Sequence, residues 1–361
     1  MSRFRPAGLS DEHALIADLV DELVEARIEP VAEVIDQTGE LDAGLATELD
    51  QHGLLAIDVD AERGGAGADL RATALAISGL ARGSAAVAAL PAVSHAVAAA
   101  CVAGDGPAGA SWAAGGGEVA FADTASGAVT VEGRSLSGRI SGVEAPLYPT
   151  RLLLALELEG GPVAALLDVD REGLAIGPVE ERTGLHGNGA RSVELDGVTV
   201  GDDDLVGGER AVAAARAHYL LSTAARANGV ARAALDAAVS YLDERRQFGV
   251  RLADMAGLRA IAAADASRLA LAEAAVWELA GDPDALVPAL RGAPAKVAYG
   301  ATELAITIAT DALQLHGGYG YTHDFPVERH LRDAVSLRAL AGGSRPNLDL
   351  AATGLLGPAL V

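Results

Sequence analysis

The chain has 361 residues, 50 Asp and Glu against 27 Lys and Arg, and a formal net charge of −23. That surplus of carboxylates excludes nucleic acid and anionic membrane surfaces as partners, because both need a basic stripe. Half of the residues are hydrophobic and only 3% are aromatic, with 43 Gly, which suits helices packed through small side chains in a chain long enough for more than one layer or domain. No long apolar run is free of charges or glycine breaks, and MSRFRPAGLSDEHA lacks the apolar core of a signal peptide. The expected location is therefore cytoplasmic.

Helices are expected from residue 10 to about 110. Ser10, Asp11 and Glu12 offer a capping start, and Leu15, Leu19, Leu23 and Ile28 carry an apolar stripe that should run until Pro30. A second helix, LDAGLATELDQHG, should end at Gly53. Gly64, Gly65, Ala66 and Gly67 imitate a phosphate loop, but no strand-then-helix unit with a lysine follows, so they read as a turn. From Leu70 to about Ala103 a pair of Ala-rich helices surrounds Pro91. GDGPAGASWAAGGG then reads as a loop, which closes a helical domain over 1–117. Cys101 is the one cysteine, so no internal disulfide can form, and within VSHAVAAACVAG it reads as a buried core thiol. Trp112 and Trp277 read as packing residues.

Short alternating strands follow from Glu118 to about Val206, as in AVTVEG and RLLLALELEGG, where Leu152, Leu154, Leu156 and Leu158 share one face. A β domain over 118–206 thus lies between two helical ones. From about Glu209 onward, in a third domain over 207–361, the pattern is helical again: Leu235, Val239 and Leu242 lead to Arg245, and Leu269, Ala272, Val276 and Leu279 mark the next helix. In TELAITIATDALQ, steps of 4, 4 and 3 join Leu304, Ile308, Ala312 and Leu315 on one face, and Gly317-Gly318 ends the helix just after Gln314. Paired glycines can turn into positive φ or let a ligand approach closely, and Gln314 offers an amide donor and acceptor. Taken alone, such a turn is simply a helix stop. His316, His323 and His330 recur every 7 residues, whereas helical metal pairs sit at i, i+4 with a carboxylate, so no metal site is expected. Glu328 and Arg329 with Arg332 and Asp333 read as a salt-bridged helix start.

Two of these C-terminal segments resemble the acyl-CoA dehydrogenase family of flavoproteins: QLHGGYGY followed by PVERHLRDA, and YLDERRQFG at Tyr241 to Gly249. They stand in the family's order and at roughly its separation. The resemblance runs from about residue 10 to 350 and implies an α+β fold: an N-terminal helical domain, a middle β domain and a C-terminal four-helix bundle. It further implies that Arg245, Gln247, Phe248, Gln314, Gly317 and Gly318 touch the pyrophosphate and adenosine side of a neighbouring subunit's FAD, so that the cofactor is shared across the subunit interface.

The resemblance is weaker where the family places its own chemistry. Its usual base is a Glu in a Tyr-Glu-Gly-Thr run soon after Arg-Asp-Ala, and the matching position is Ala341, whose methyl group accepts no proton. Members that move the base onto an earlier helix set it before an Arg, where this chain reads Tyr219-Leu220. The Thr-Glu-Pro segment has shrunk to residues 121–127, and Gly142, Val143 and Glu144 replace the Trp-Ile-Thr that meets the flavin ring. Losses confined to a subunit's own chamber imply a non-catalytic subunit in a hetero-oligomer (α2β2) like those some bacteria use on sterol side chains and other bulky CoA esters. A catalytic acyl-CoA dehydrogenase subunit would then bring the base and the acyl-CoA pocket, with an electron-transfer flavoprotein or similar acceptor. The alternatives are a homo-oligomeric flavoenzyme using Glu144, His218 or Asp324 as base, and a flavin-free scaffold of the same fold.

Overall fold

The computed structural model describes residues 9–112, 118–282, 292–340 and 343–357. Helix α1 (Asp11–Leu23) starts where the capping residues put it, with the Ser10 hydroxyl accepting from the His13 N–H at 3.2 Å. Its buried side follows the expected stripe at Leu23 and Ile28, with Leu19 packed at the edge of the core, but not at Leu15, which is 70% exposed while Ala17, Val20 and Val24 are buried instead, because four-residue steps drift around a helix that turns every ~3.6 residues. Nor does the helix stop at Pro30. A π-turn over Val24–Ile28 leads into α2 (Glu29–Thr38), where Pro30 sits in the first turn and its missing N–H breaks no helical bond.

Helix α3 (Ala43–Gln51) is capped by Asp42, and α4 (Leu70–Gly83) and α5 (Ala89–Ala103) complete the N-terminal layer. The stretch expected to be a loop after Ala103 holds a further short helix, α6 (Pro107–Ser111), which Pro107 at its start favours through its fixed φ.

Eight strands form two sheets. One has the order β1 (Val119–Asp123), β4 (Arg151–Leu158), β5 (Gly161–Asp168), β8 (Leu205–Gly207); β1 and β4 are parallel and the other pairs antiparallel. The other is antiparallel throughout, in the order β2 (Ala128–Glu132), β3 (Ser135–Val143), β7 (Arg191–Thr199), β6 (Leu174–Val179). Leu152, Leu154 and Leu156 do share a face, and it packs on Leu136, Ile140 and Val193 of the second sheet. The opposite face of β4 is buried as well: Leu153 and Ala155 pack on Val97 and on Val212 of the helices.

The third layer is organised by α7 (Glu209–Glu244), a 36-residue helix that packs on α4, α5 and α9 (Gly292–Leu315). Its close approach to α4 depends on Gly229, where an added Cβ would fall 2.3 Å from the Ser78 carbonyl oxygen. A hairpin of β9 (Arg246–Gln247) and β10 (Val250–Arg251) follows, then α8 (Ala256–Ala280), α10 (Val327–Arg338) and α11 (Ser344–Leu356). Trp277 bridges this layer to the first, edge-on to His13 at 5.1 Å with the Arg71 guanidinium 5.0 Å over its ring. Among the described residues, no helix is long and apolar enough to cross a membrane.

Candidate functional site

The second sheet, the first helical layer and α7 converge where β3 ends, and there Glu144 is 1% exposed. Its Oε2 accepts from the Tyr219 hydroxyl at 2.6 Å and from Arg226 Nη1 at 2.8 Å. Its Oε1 accepts from Arg226 Nη2 at 2.9 Å and from Asn188 Nδ2 at 2.7 Å. Arg226 is fully buried and also donates to the Ala85 carbonyl at 3.0 Å. Asn188 is held in place by the backbone beside it: Gly189 has φ +62, and an added Cβ there would lie 1.9 Å from the Ala145 carbonyl oxygen.

Burial alone would push the Glu144 carboxyl up, but the Arg226 charge and its two hydrogen bonds, with those from Tyr219 and Asn188, hold it below the ordinary range. The Tyr219 phenol is pushed well up by burial and by the Glu144 charge, so it remains a donor. A bidentate guanidinium–carboxylate pair with two further donors leaves Glu144 no direction from which to take a substrate's proton. Tyr219, at the alternative base position, is likewise committed. The position expected to meet a flavin ring therefore carries a closed, charged plug. Arg226 was not singled out by sequence reasoning. Its signal was there: one cation inside STAARANGVA, a run of small residues whose neighbours are all buried.

The residues expected to serve a neighbouring cofactor lie at the far ends of α7 and α9, which are joined there by aromatic contacts. Tyr241 stacks on His316 at 4.4 Å, and Phe325 meets Tyr241, His316 and Tyr319. The Arg245 guanidinium lies 5.6 Å over the Tyr319 ring and has no carboxylate partner among the described residues. Gln247 and Phe248 form the exposed tip of the β9–β10 hairpin; Phe248 is 94% exposed and has φ 54, with Gly249 following at φ 83. Two successive positive φ values make the tight turn whose twist matches that of a hairpin, and they hold an apolar ring out in water. Gln314 is on the last turn of α9 as expected, and an added Cβ at Gly317 or Gly318 would meet nothing within 4 Å. Ala341 lies outside the described residues.

The other candidate bases are placed differently. Asp324 is exposed and accepts from the Thr322 hydroxyl at 3.0 Å. His218 lies 3.6 Å from Asp58, which also pairs with His95, in a buried cluster that sequence reasoning missed because the three come from separate segments. Burial pushes the His218 imidazole down. The spaced histidines do not converge: His316 is buried in the ring stack, His323 is exposed, and among the described residues no group of His, Cys, Asp or Glu could hold a metal. Cys101 is fully buried, and burial pushes its thiol up to about 12. The expected salt bridges at the start of α10 are present: Arg332 joins Glu328 at 2.7 Å and reaches across to Asp36 at 2.6 Å. The neighbouring Asp333 is buried and accepts from the Leu185 N–H at 2.6 Å, with burial pushing its carboxyl up to about 6.

Against known proteins, the models of the acyl-CoA dehydrogenase N-terminal and C-terminal domains match residues 10–108 and 208–356. An acyl-CoA dehydrogenase of Bacillus subtilis is 30% identical over 356 residues, covering 90% of this chain and 93% of that protein. A probable acyl-CoA dehydrogenase of Mycobacterium tuberculosis is 28% identical over 364 residues, 90% of each chain. The structure of butyryl-CoA dehydrogenase from Megasphaera elsdenii shares the fold, with a TM-score of 0.86 at 23% identity over 98% of this chain and 100% of that one.

Proposed function

The chain belongs to the acyl-CoA dehydrogenase family, and from that premise we propose that it is the non-catalytic subunit of a mixed-chain, FAD-dependent acyl-CoA dehydrogenase, completing the flavin site of a catalytic partner chain. The observation that carries this reading is the buried Glu144–Arg226 pair with Tyr219 and Asn188 bound to it. A neutral, electron-accepting ring cannot enter that position without stranding one of two charges in the core, and stranding a buried charge costs several kcal/mol. The chain's own half-site does not fit the cofactor.

The half-site it offers outward does fit. Arg245 supplies a cation with no carboxylate partner among the described residues for the pyrophosphate, the open Gly317-Gly318 turn allows backbone approach, Gln314 and Gln247 offer amides, and Phe248 offers an apolar face. When bound, FAD supplies the hydride acceptor of the reaction, and the protein's part is to bind and orient it. In this reading, Arg245 and the glycine turn fix the dinucleotide end, while the base that removes the α-proton belongs to the other chain. Electrons would leave through an electron-transfer flavoprotein or a similar acceptor.

Expression of the chain alone and together with a base-bearing acyl-CoA dehydrogenase chain tests this. Alone it should be colourless and inactive; the complex should be yellow, with about one FAD per two chains. A yellow, active homo-oligomer of this chain would reject the reading, and so would a colourless particle that takes no such partner.

A further inference from the structure

A cavity of about 780 Å³ lies between α2, the end of α4, the middle of α7 and the segment entering α10. That volume falls within the usual ~300–1,000 Å³ of small-molecule sites. The cavity has an apolar floor in Ala233, Ala237 and the Phe325 ring, and a lining rich in carboxylates.

Some of its polar groups are already committed. Arg332 is held by Asp36 and Glu328, and Arg82 by Asp21 at 3.2 Å with Glu29 at 3.9 Å. His186 is hydrogen-bonded to the Asp36 and Arg182 carbonyls, at 2.7 Å each. With those set aside, Asp236 remains: half-buried on α7, with no hydrogen bond or ion pair to any described residue, its carboxyl pushed up by burial against the more distant charges of Arg232 and Arg82. Glu33 and Asp324 at the rim are met only by neutral donors, Gln37 and Thr322. Against these three carboxylates stands one guanidinium, Arg329, without a carboxylate partner among the described residues.

A second observation is independent of charge count. His330 lines the cavity, is only 7% exposed, and makes no ring hydrogen bond to any described residue. Burial, with the charges of Arg329, His316 and Arg332, pushes it down to about 3, so its imidazole is neutral and keeps one nitrogen free to accept. An aromatic face, a free acceptor nitrogen and an unpaired carboxylate are what an alkylammonium needs. The surplus of negative charge opposes carboxylates and the phosphates of a CoA ester.

We propose that this cavity binds a small aliphatic amine, its ammonium held between Asp236 and His330 and its chain laid along Ala233, Ala237 and Phe325. The site meets the ring cluster of the flavin surface at Phe325, but Asp236 and His330 take no part in those ring contacts, so the proposal stands whether or not the subunit reading does.

Isothermal titration of the full-length chain with three probes of one length tests it: 1,4-diaminobutane, 4-aminobutyrate and succinate. The diamine should bind, the amino acid more weakly and the dianion not at all. Asp236→Asn should weaken the diamine at least tenfold without unfolding the chain, since it removes an unpaired, half-buried charge. Glu33→Gln, on the exposed face of α2, should weaken it a few-fold and gives a second readout independent of the folding of the first variant. No heat with the diamine, succinate binding as tightly as the diamine, or affinity unchanged in both variants would overturn the proposal.

Discussion

Replacing Glu144 by Thr, the residue type the family's ring-contacting segment carries, restores the expected side chain at that one position, yet the consequence should be loss of stability rather than gain of flavin. Arg226 is 0% exposed, and among the described residues Glu144 is the carboxylate it pairs with. Taking away one member of a buried pair costs ~3–5 kcal/mol, because the other charge is left in the core. The Tyr219 hydroxyl and the Asn188 amide lose their acceptor in the same step. Taking about 4 kcal/mol, and ~2.1 cal/mol/K of unfolding entropy per residue, the 361-residue chain should melt about 5 °C lower. Removing both charges, with Glu144→Leu and Arg226→Met, should recover the part of that loss due to the stranded charge, while the Tyr219 hydroxyl and the Asn188 amide stay without their acceptor. Scanning calorimetry of the wild type, the two single variants and the double variant forms the cycle. If Glu144→Thr melts within about 1 °C of wild type, or takes up FAD in the absence of a partner, the plug is not what closes this chamber and the reasoning is refuted.

Further outcomes follow from other parts of the molecule. In the complex, Arg245→Ala should lower FAD retention about tenfold or more in dialysis while this chain stays folded, because the removed cation carries no ion pair among the described residues. Ala341→Glu should leave turnover at background in this chain alone, measured with an artificial electron acceptor, since the Glu144–Arg226 pair keeps the ring site closed whatever residue 341 carries; measurable turnover would count against the subunit reading. His330 gives a pH dependence. Its folded value of about 3 lies below the unfolded value, taken as ~6.5, so its contribution to stability is complete above ~6.5 and is lost as pH falls toward the folded value. Between pH 7 and pH 5 that amounts to about 2 kcal/mol, and His330→Gln should be flatter by that amount in urea titrations at the two pH values.

How much was legible beforehand differs from site to site. The Gln314 turn was readable because its backbone demand, a helix stop at Gly317, is written in adjacent residues, whereas the Arg245 segment was readable only through its resemblance to a family motif, and its hairpin with successive positive φ at Phe248 and Gly249 came from the structure. The layers were readable from periodicity, although the first helix showed that an apolar stripe alone does not say which side is buried: Leu15 faces water, and the helical segment carries on past Pro30. The Glu144 network was not readable. Its partners lie 44, 75 and 82 residues away in sequence, and no local pattern pairs groups at such separations.

By itself, then, the order of residues determined the helix, strand and glycine-turn segments, since each depends on side-chain chemistry within a turn or two of chain, while the Arg245 motif and the replacement of the expected base by Ala341 came from the resemblance to the family. Only the tertiary structure decided whether Glu144 is a base or a counter-ion. A carboxylate's role depends on what surrounds it, and Arg226, Tyr219 and Asn188 reach it only because the sheet, the N-terminal helices and α7 close over one point from which water is excluded.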